Sequence, residues 1–332
     1  MGQTFSPEMS FVPKEAPHEI RNKREGDALV KRILRWMYVT EGMGPLGRLL
    51  YAKIDPFHNP WDKRHRTYSI EICPRDYFDT NWLDNGQWPT LRKGLKKMWR
   101  GLRKEFGLVP TLVEKDRKGN ETHWPGGGCH IHMGADIFMQ GPFWYRKAER
   151  FHRNLITDYA NRPWIKWLFS QWFADESNYV PVNATELADG WWSELGHEQV
   201  RQPTPDILFE QSFDQRGIEP RYMCSGKDSY LTFEFRMVSM VESPEELRAA
   251  VRFLKRWMNH VRCEGGKHSF DNGNSATIPF SLTQDNLKDM SDLDKSWGIV
   301  VDFLKQLDLD CTEYRSFFER NYSNRIRFGK MI

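Results

Sequence analysis

The sequence predicts a mixed α+β fold in which short strands, one pair of them an antiparallel hairpin, alternate with amphipathic helices. Three observations lead there. Short segments such as Thr67–Cys73 and Tyr230–Val238 alternate side chains with the period of two that marks a strand. Longer segments repeat apolar residues every three or four positions, as Leu91, Leu95, Met98, Leu102 and Phe106 do. The turn-forming run Lys115-Asp116-Arg117-Lys118-Gly119-Asn120 separates two candidate strands and predicts a hairpin.

The 332 residues are enough for one large domain or two ordinary ones. Hydrophobic residues make up 39% and charged residues 28%, which is a globular balance and argues against disorder. The 14 tryptophans are many, so rings build much of the core and some serve a binding surface. A net charge of +3 singles out no class of partner. The start, Met1-Gly2-Gln3-Thr4-Phe5-Ser6, has no apolar stretch of signal-peptide type, and no run reaches the ~18 apolar residues of a membrane span. The five cysteines are scattered, with no C-x-x-C pair, so neither a zinc ribbon nor a disulfide framework is expected. These features predict a cytoplasmic protein without a membrane partner.

Taken in order, residues 1–25 are polar and punctuated by Pro7, Pro13 and Pro17, which predicts an extended arm. Residues 26–40 predict a helix, with Leu29, Ile33 and Met37 on one side. Gly42 to Arg66 reads as irregular. Thr67–Cys73 predicts a strand with Ile70 and Ile72 on one face and Ser69, Glu71 and Cys73 on the other. Thr90–Phe106 predicts a helix whose outer surface carries Arg92, Lys93, Lys96, Lys97, Arg100, Arg103 and Lys104. That surface is a solvated face, a contact for another subunit, or the footprint of a polyanion.

Leu108–Glu114 predicts the next strand, and Cys129–Phe138 another. Helix is expected over Phe143–Phe173, interrupted near Asn161-Arg162-Pro163. Residues 175–220 are irregular and suggest a lid or insertion. Ser243-Pro244-Glu245-Glu246 has the composition of a helix start, and that helix should run to about Arg262. Residues 265–282 read as loop, followed by helices over 295–308 and 312–322.

The chemistry-bearing stretch is Gly126-Gly127-Gly128-Cys129-His130-Ile131-His132-Met133-Gly134. Glycines let the backbone bend sharply and approach another group closely. On a strand, His130 and His132 share one face, which suits a metal, a phosphate or both; the alternative is a pair of solvated or carbonyl-bonded histidines. Glu71 and then Glu234 with Arg236 add polar groups on two further strands. Carboxylates with an imidazole can hold Mg²⁺ or Mn²⁺, and an adjacent arginine can grip a carboxylate or phosphate.

Gly-Gly-Gly-Cys-His-Ile-His-Met-Gly resembles the G-x-H-x-H-x-G strand of the amidoligase branch of the glutamine synthetase and glutamate–cysteine ligase superfamily. Phe233-Glu234-Phe235-Arg236 is similar to that superfamily's later E-x-R strand. Strand order and spacing agree from about Tyr68 to Arg262. The resemblance implies a glutamine-synthetase-like antiparallel sheet, curved around a nucleotide and metal site, with helices on its outer face. It makes 26–332 one carboxylate–amine ligase-like domain behind the arm. It implies an ATP- and Mg²⁺- (or Mn²⁺-) dependent ligase that joins a carboxylate to an amine through an acyl phosphate, with a homo-oligomer as one candidate state. Carried over by position, Glu71, His130 and Glu234 are the candidate metal ligands, and His132 approaches the ATP phosphates. Arg221 and Arg236 hold the γ-phosphate and the substrate carboxylate or acyl phosphate.

One departure stands out. The family's first strand offers E-x-E, whereas Glu71 is flanked by Ser69 and Cys73. Either another acid, such as Glu114 or Asp136, replaces the lost one, or the chain is a catalytically reduced relative with a structural or interaction role. A further alternative is a metal-dependent hydrolase that activates water on His130, His132 and Glu234.

Overall fold

The computed structural model describes residues 4–14, 20, 22–39, 43, 46–58, 66–84, 86–115, 121–125, 129–140, 144–161, 168–169, 218–225, 228–236, 238, 241–264 and 293–321. The glycine run 126–128, residues 175–217 of the lid or insertion expected over 175–220, and the expected loop over 265–282 lie outside them. The architecture is mixed helix and antiparallel sheet. By internal contacts the chain divides into two compact units, where the sequence suggested an arm and a single domain. One unit is Thr4–Ile131 with Val238–Val251, and the other contains His132–Met237 and Arg252–Ile332.

In the first unit the sheet is built around the segment expected to be an arm. Thr4–Pro13 is strand β1. Arg66–Pro74 is β3, paired with β1 in the register Met9↔Ile72, Ser10↔Glu71, Phe11↔Ile70. Leu50–His58 is β2, paired with β3 along its length in a region expected to be irregular. Phe78–Asp79 (β4) and Leu108–Val109 (β5) pair with the two ends of β1. Alternation explains the placement. Phe5, Met9 and Phe11 point to one face and are fully buried, while Ser6, Glu8 and Ser10 point to the other. Pro7 carries no N–H, so it removes one donor from the ladder, yet the strand continues through it.

Helices cover the apolar face. Lys23–Val39 is α1, and Gly26 brings its backbone against Ile54 of β2. The single turn Leu46–Leu49 is α2. Trp88–Phe106 is α3, with Pro89 at its start and Gly107 at φ 64° closing it in the left-handed conformation that glycine favours. Trp99 meets Phe11 edge-on at 5.9 Å between ring centres. At Gly101 a Cβ would run into the Trp36 indole, so the glycine sets the close approach of α3 to α1. Thr111–Lys115 (β6) and Glu121–Pro125 (β7) form the expected hairpin.

Cys129–Gly134 is β8, which ends earlier than the sequence suggested; Asp136–Met139 is a 3-10 turn. The division falls inside β8, with residues to Ile131 in the first unit and those from His132 in the second. Trp144–Asn161 is α4, followed by β9 (Ile218–Ser225) and β10 (Asp228–Phe235), an antiparallel pair. Strand order runs β2-β3-β1 in the first unit, and β10 pairs with β9 in the second.

Leu231, Phe233 and Phe235 of β10 bury one face. His152 of α4 stacks on Phe233, and its Nε2–H donates to the Ile218 carbonyl at 2.9 Å. Pro244–Glu264 is α5. Its cap is reciprocal: the Ser243 hydroxyl accepts from the Glu246 N–H, and the Glu246 carboxylate accepts from the Glu242 N–H at 2.7 Å. In the second unit Trp257 of α5 packs on Phe235 and donates to Asp158. Leu293–Gln306 is α6, and a 3-10 turn at Cys311–Tyr314 leads into helix over 315–321.

The position of β1 makes a testable claim. Met9 is fully buried, so Met9→Ala should cost about 2–5 kcal/mol in urea denaturation, as large-to-small core changes do. A change below about 0.5 kcal/mol, as surface substitutions give, would return residues 4–13 to a loose arm.

Candidate functional site

Glu71 stands on the face of β3 opposite to Ile70 and Ile72, as alternation required, but it is not on a wet face. Its residue exposure is 5%, and Ser69 and Cys73 beside it are also buried. Antiparallel register brings Lys53 of β2 and Ser10 of β1 directly opposite. The Lys53 ammonium lies 2.9 Å from one Glu71 oxygen and 3.7 Å from Glu8 on β1. His130, from the first half of β8, places Nδ1 4.0 Å from the same Glu8 oxygen. Two carboxylates, a lysine and an imidazole thus share one sheet face of the first unit.

Burial and the neighbouring Glu8 charge push the Glu71 carboxyl up to about 6 from its ordinary 4.5, against the pull of Lys53 and His130. For Lys53 burial works against the charge, but the hydrogen bond to Glu71 and the charges of Glu8 and Glu71 win, and its value is raised. Burial, then the Glu71 and Glu8 charges, push the Cys73 thiol well up, so it stays protonated.

The fit to a metal follows from the donor set. Glu8, Glu71 and Cys73 place one ligand atom each within 4.8 Å of one another. A protonated thiol is a poor ligand, because metals bind the thiolate. The two carboxylates suit Mg²⁺ or Mn²⁺, and Mg²⁺ is commonly held by one or two carboxylates with substrate phosphates completing the shell; His130 stands near Glu8. Glu8 thus places a second carboxylate beside Glu71. Of the acids suggested by the sequence, Asp136 has its Oδ1 accepting from the Leu231 N–H at 3.0 Å, and the Glu114 side chain lies outside the described residues.

The remaining predicted residues gather in the second unit. Glu234 is 3% exposed on β10. Its Oε2 accepts from Arg221 Nε of β9 at 2.6 Å, and Arg236 Nε stands 3.7 Å from Oε1. The register pairs Arg221 with Thr232, which puts the arginine one diagonal step from Glu234. His132, nearly buried, has Nδ1 3.3 Å from Thr232 Oγ1. So His132, Arg221, Glu234 and Arg236 lie together around β10, whereas Glu71 and His130 lie with Glu8 and Lys53 in the first unit. The sequence named Glu234 as a metal ligand; its carboxylate also pairs with Arg221 and Arg236.

Glu8 and Lys53 were missed. The signal for Glu8 was present in Thr4–Phe11, which alternates polar and apolar side chains through a proline. The signal for Lys53 was Leu50, Ala52 and Ile54 alternating with Tyr51, Lys53 and Asp55. Scans of the chain against protein-family models, curated proteins and solved structures find no match.

Glu71 predicts a pH dependence. Its folded value of about 6 exceeds its ordinary 4.5, so between the two the native state holds more proton than the unfolded chain. Stability from this group therefore falls as pH rises through that window, by about 2 kcal/mol in all. In metal-free protein, Glu71→Gln should remove that share of the change between pH 4.5 and 6.5 in urea denaturation. Parallel curves for wild type and variant would show that Glu71 titrates normally.

Proposed function

We propose that this chain is an ATP- and Mg²⁺-dependent carboxylate–amine ligase with a glutamine-synthetase-like fold, working through an acyl phosphate. The observation that carries the reading is the Glu8–Glu71 pair. It supplies two carboxylates on one sheet face, which the first-strand sequence alone seemed to lack. The order of motifs, and helices packed on the opposite face of that sheet, support it further.

In this reading Glu8, Glu71 and His130 hold Mg²⁺. When bound, the ion neutralises charge on the phosphate oxygens of ATP. Lys53, 42% exposed along its side chain, can leave Glu71 and carry its charge to a phosphate. Arg221 and Arg236 bind the γ-phosphate and the substrate carboxylate. Glu234 holds Arg221 in place, so that the guanidinium needs no reorganisation as charge moves. The substrate carboxylate oxygen attacks the γ-phosphorus, and ADP leaves. The amine then attacks the acyl carbon, the C–O bond to phosphate breaks, inorganic phosphate departs with the electron pair, and the amine nitrogen gives up one proton to the departing phosphate or to water.

A second reading has a specific observation in its favour. Lys53 already balances Glu71, and Arg221 already balances Glu234. Such closed pairs suit a catalytically reduced relative with a structural or interaction role.

Calorimetry with a non-hydrolysable ATP analogue, with and without Mg²⁺, separates the two. Ligase function requires metal-dependent binding in wild type, weakened at least about tenfold by Glu8→Gln or Glu71→Gln, in line with loss of a charged hydrogen-bonding partner. An absence of binding in wild type at millimolar analogue would reject it in favour of the structural reading. Arg221→Met tests the ion pair of the second unit. It leaves a buried carboxylate short of its closest partner and should cost about 3 kcal/mol of stability, regained in part by adding Glu234→Gln. Additive effects of the two substitutions would show that the pair does not matter.

A further inference from the structure

We infer that the outer face of α1 and α3 binds the phosphodiester backbone of a nucleic-acid duplex. The inference rests on charge, spacing and what that face lacks. Over Lys23–Val39 and Trp88–Phe106 the two helices carry twelve lysines and arginines against three acids, a balance of +9 on a chain whose total is +3. The positive charge is therefore concentrated, and the rest of the chain is net negative.

Six of the seven cations of α3 fall into two groups, with exposed Arg103 outside both. Arg92 and Lys96 are spent within the fold, 2.6 and 2.7 Å from Glu245 at the start of α5. Lys93, Lys97, Arg100 and Lys104 form the other group, a stripe at spacings of four, three and four residues. Such residues are neighbours on a helix surface. Their only acidic contact among the described residues is Lys104 with Glu105 at 3.9 Å. The stripe spans about 16 Å of helix, over which a duplex presents about five phosphates per strand. Like charges at these spacings repel and weaken the helix. A run of them is relieved by an anionic partner that spans several at once.

The packing of α1 widens the same surface. Trp36 fills the space over Gly101, and the Arg32 guanidinium lies over the Phe106 ring, 5.7 Å from its centre. This brings Arg32, with exposed Arg35 one turn on, alongside the C-terminal half of α3.

The face also lacks the apolar anchor that a membrane-surface helix presents. No large apolar side chain of α3 is exposed. On α1, only Tyr38 and Val39 at its end are, and Tyr38 is engaged by Arg75. Nor does α3 expose a ring on which unpaired bases could stack, which favours a duplex over a single strand.

The test is fluorescence anisotropy of the full chain with labelled 20-base-pair DNA and RNA duplexes across 50–200 mM salt. The expected result is binding that weakens steeply with salt. Lys93→Gln, Arg100→Gln and Lys104→Gln together should weaken it at least tenfold and reduce the log–log salt slope by about 3. Circular dichroism would confirm that this variant is folded. Lys295→Gln with Lys305→Gln, exposed cations of α6, should leave binding unchanged. The inference is overturned by wild type that ignores both duplexes at 50 mM salt, by equal loss in the α6 variant, or by vesicles rich in phosphatidylserine being bound where duplexes are not. None of these readings involves nucleotide binding at Glu71, so the two proposals fail independently.

Discussion

A carboxylate held out of water must find a positive charge or give up its own, and that constraint shapes the first unit. Glu71 is buried on the sheet face opposite to the one covered by α1 and α3. Its compensation comes across the ladder, from Lys53 directly opposite in β2. The arrangement depends on register. A slip of one residue in β3 would turn Glu71 toward Met9, Phe11 and the helices, and would drive Ile70 and Ile72 onto the polar face. The ion network and the apolar core therefore specify the same alignment of β1, β2 and β3. In the second unit Glu234 repeats the logic. Its face of β10 is polar because Leu231, Phe233 and Phe235 occupy the other, and β9 delivers Arg221 across the ladder.

How much of this was legible depended on how local the determining contacts were. Helices α1, α3, α4 and α5 were readable because amphipathic period and capping residues lie within one stretch; Ser243 and Glu246 close their cap three residues apart. Strands β3 and β10 were readable because their alternation is unbroken by proline. The N-terminal strand was not, because Pro7 and Pro13 look like punctuation until β3, β4 and β5 are seen to satisfy the rest of its backbone. The far end of β8 was over-extended for a similar reason. Nothing nearby in the chain reveals that Asp136 turns to accept the Leu231 N–H, 95 residues away. Of the candidate site, Glu71, His130, His132, Arg221, Glu234 and Arg236, all named from the sequence, lie on or beside one of the polar strand faces. Alternation marked the strands of Glu8 and Lys53, but their significance comes from Glu71, 63 and 18 residues downstream.

Under the ligase proposal, the same geometry explains why a strand without E-x-E need not mean a lost site. Two carboxylates two residues apart on one strand project on the same face about 7 Å apart along the chain. A cross-strand or diagonal pair covers a comparable or shorter distance. Moving one acid from β3 to β1 keeps the chemistry and frees position 73 for a residue that packs. Cys73 behaves that way: burial keeps its thiol neutral, and it sits beside Tyr51. The lysine in the midst of the acids is consistent with either use of the face. In a structural protein it is a permanent counter-ion. In an enzyme it is a replaceable one, since its side chain reaches solvent and its flexible stem can yield to a divalent ion that binds two carboxylates at once. The choice between them turns on whether two positive charges on one small ion outbid one charge tethered to β2.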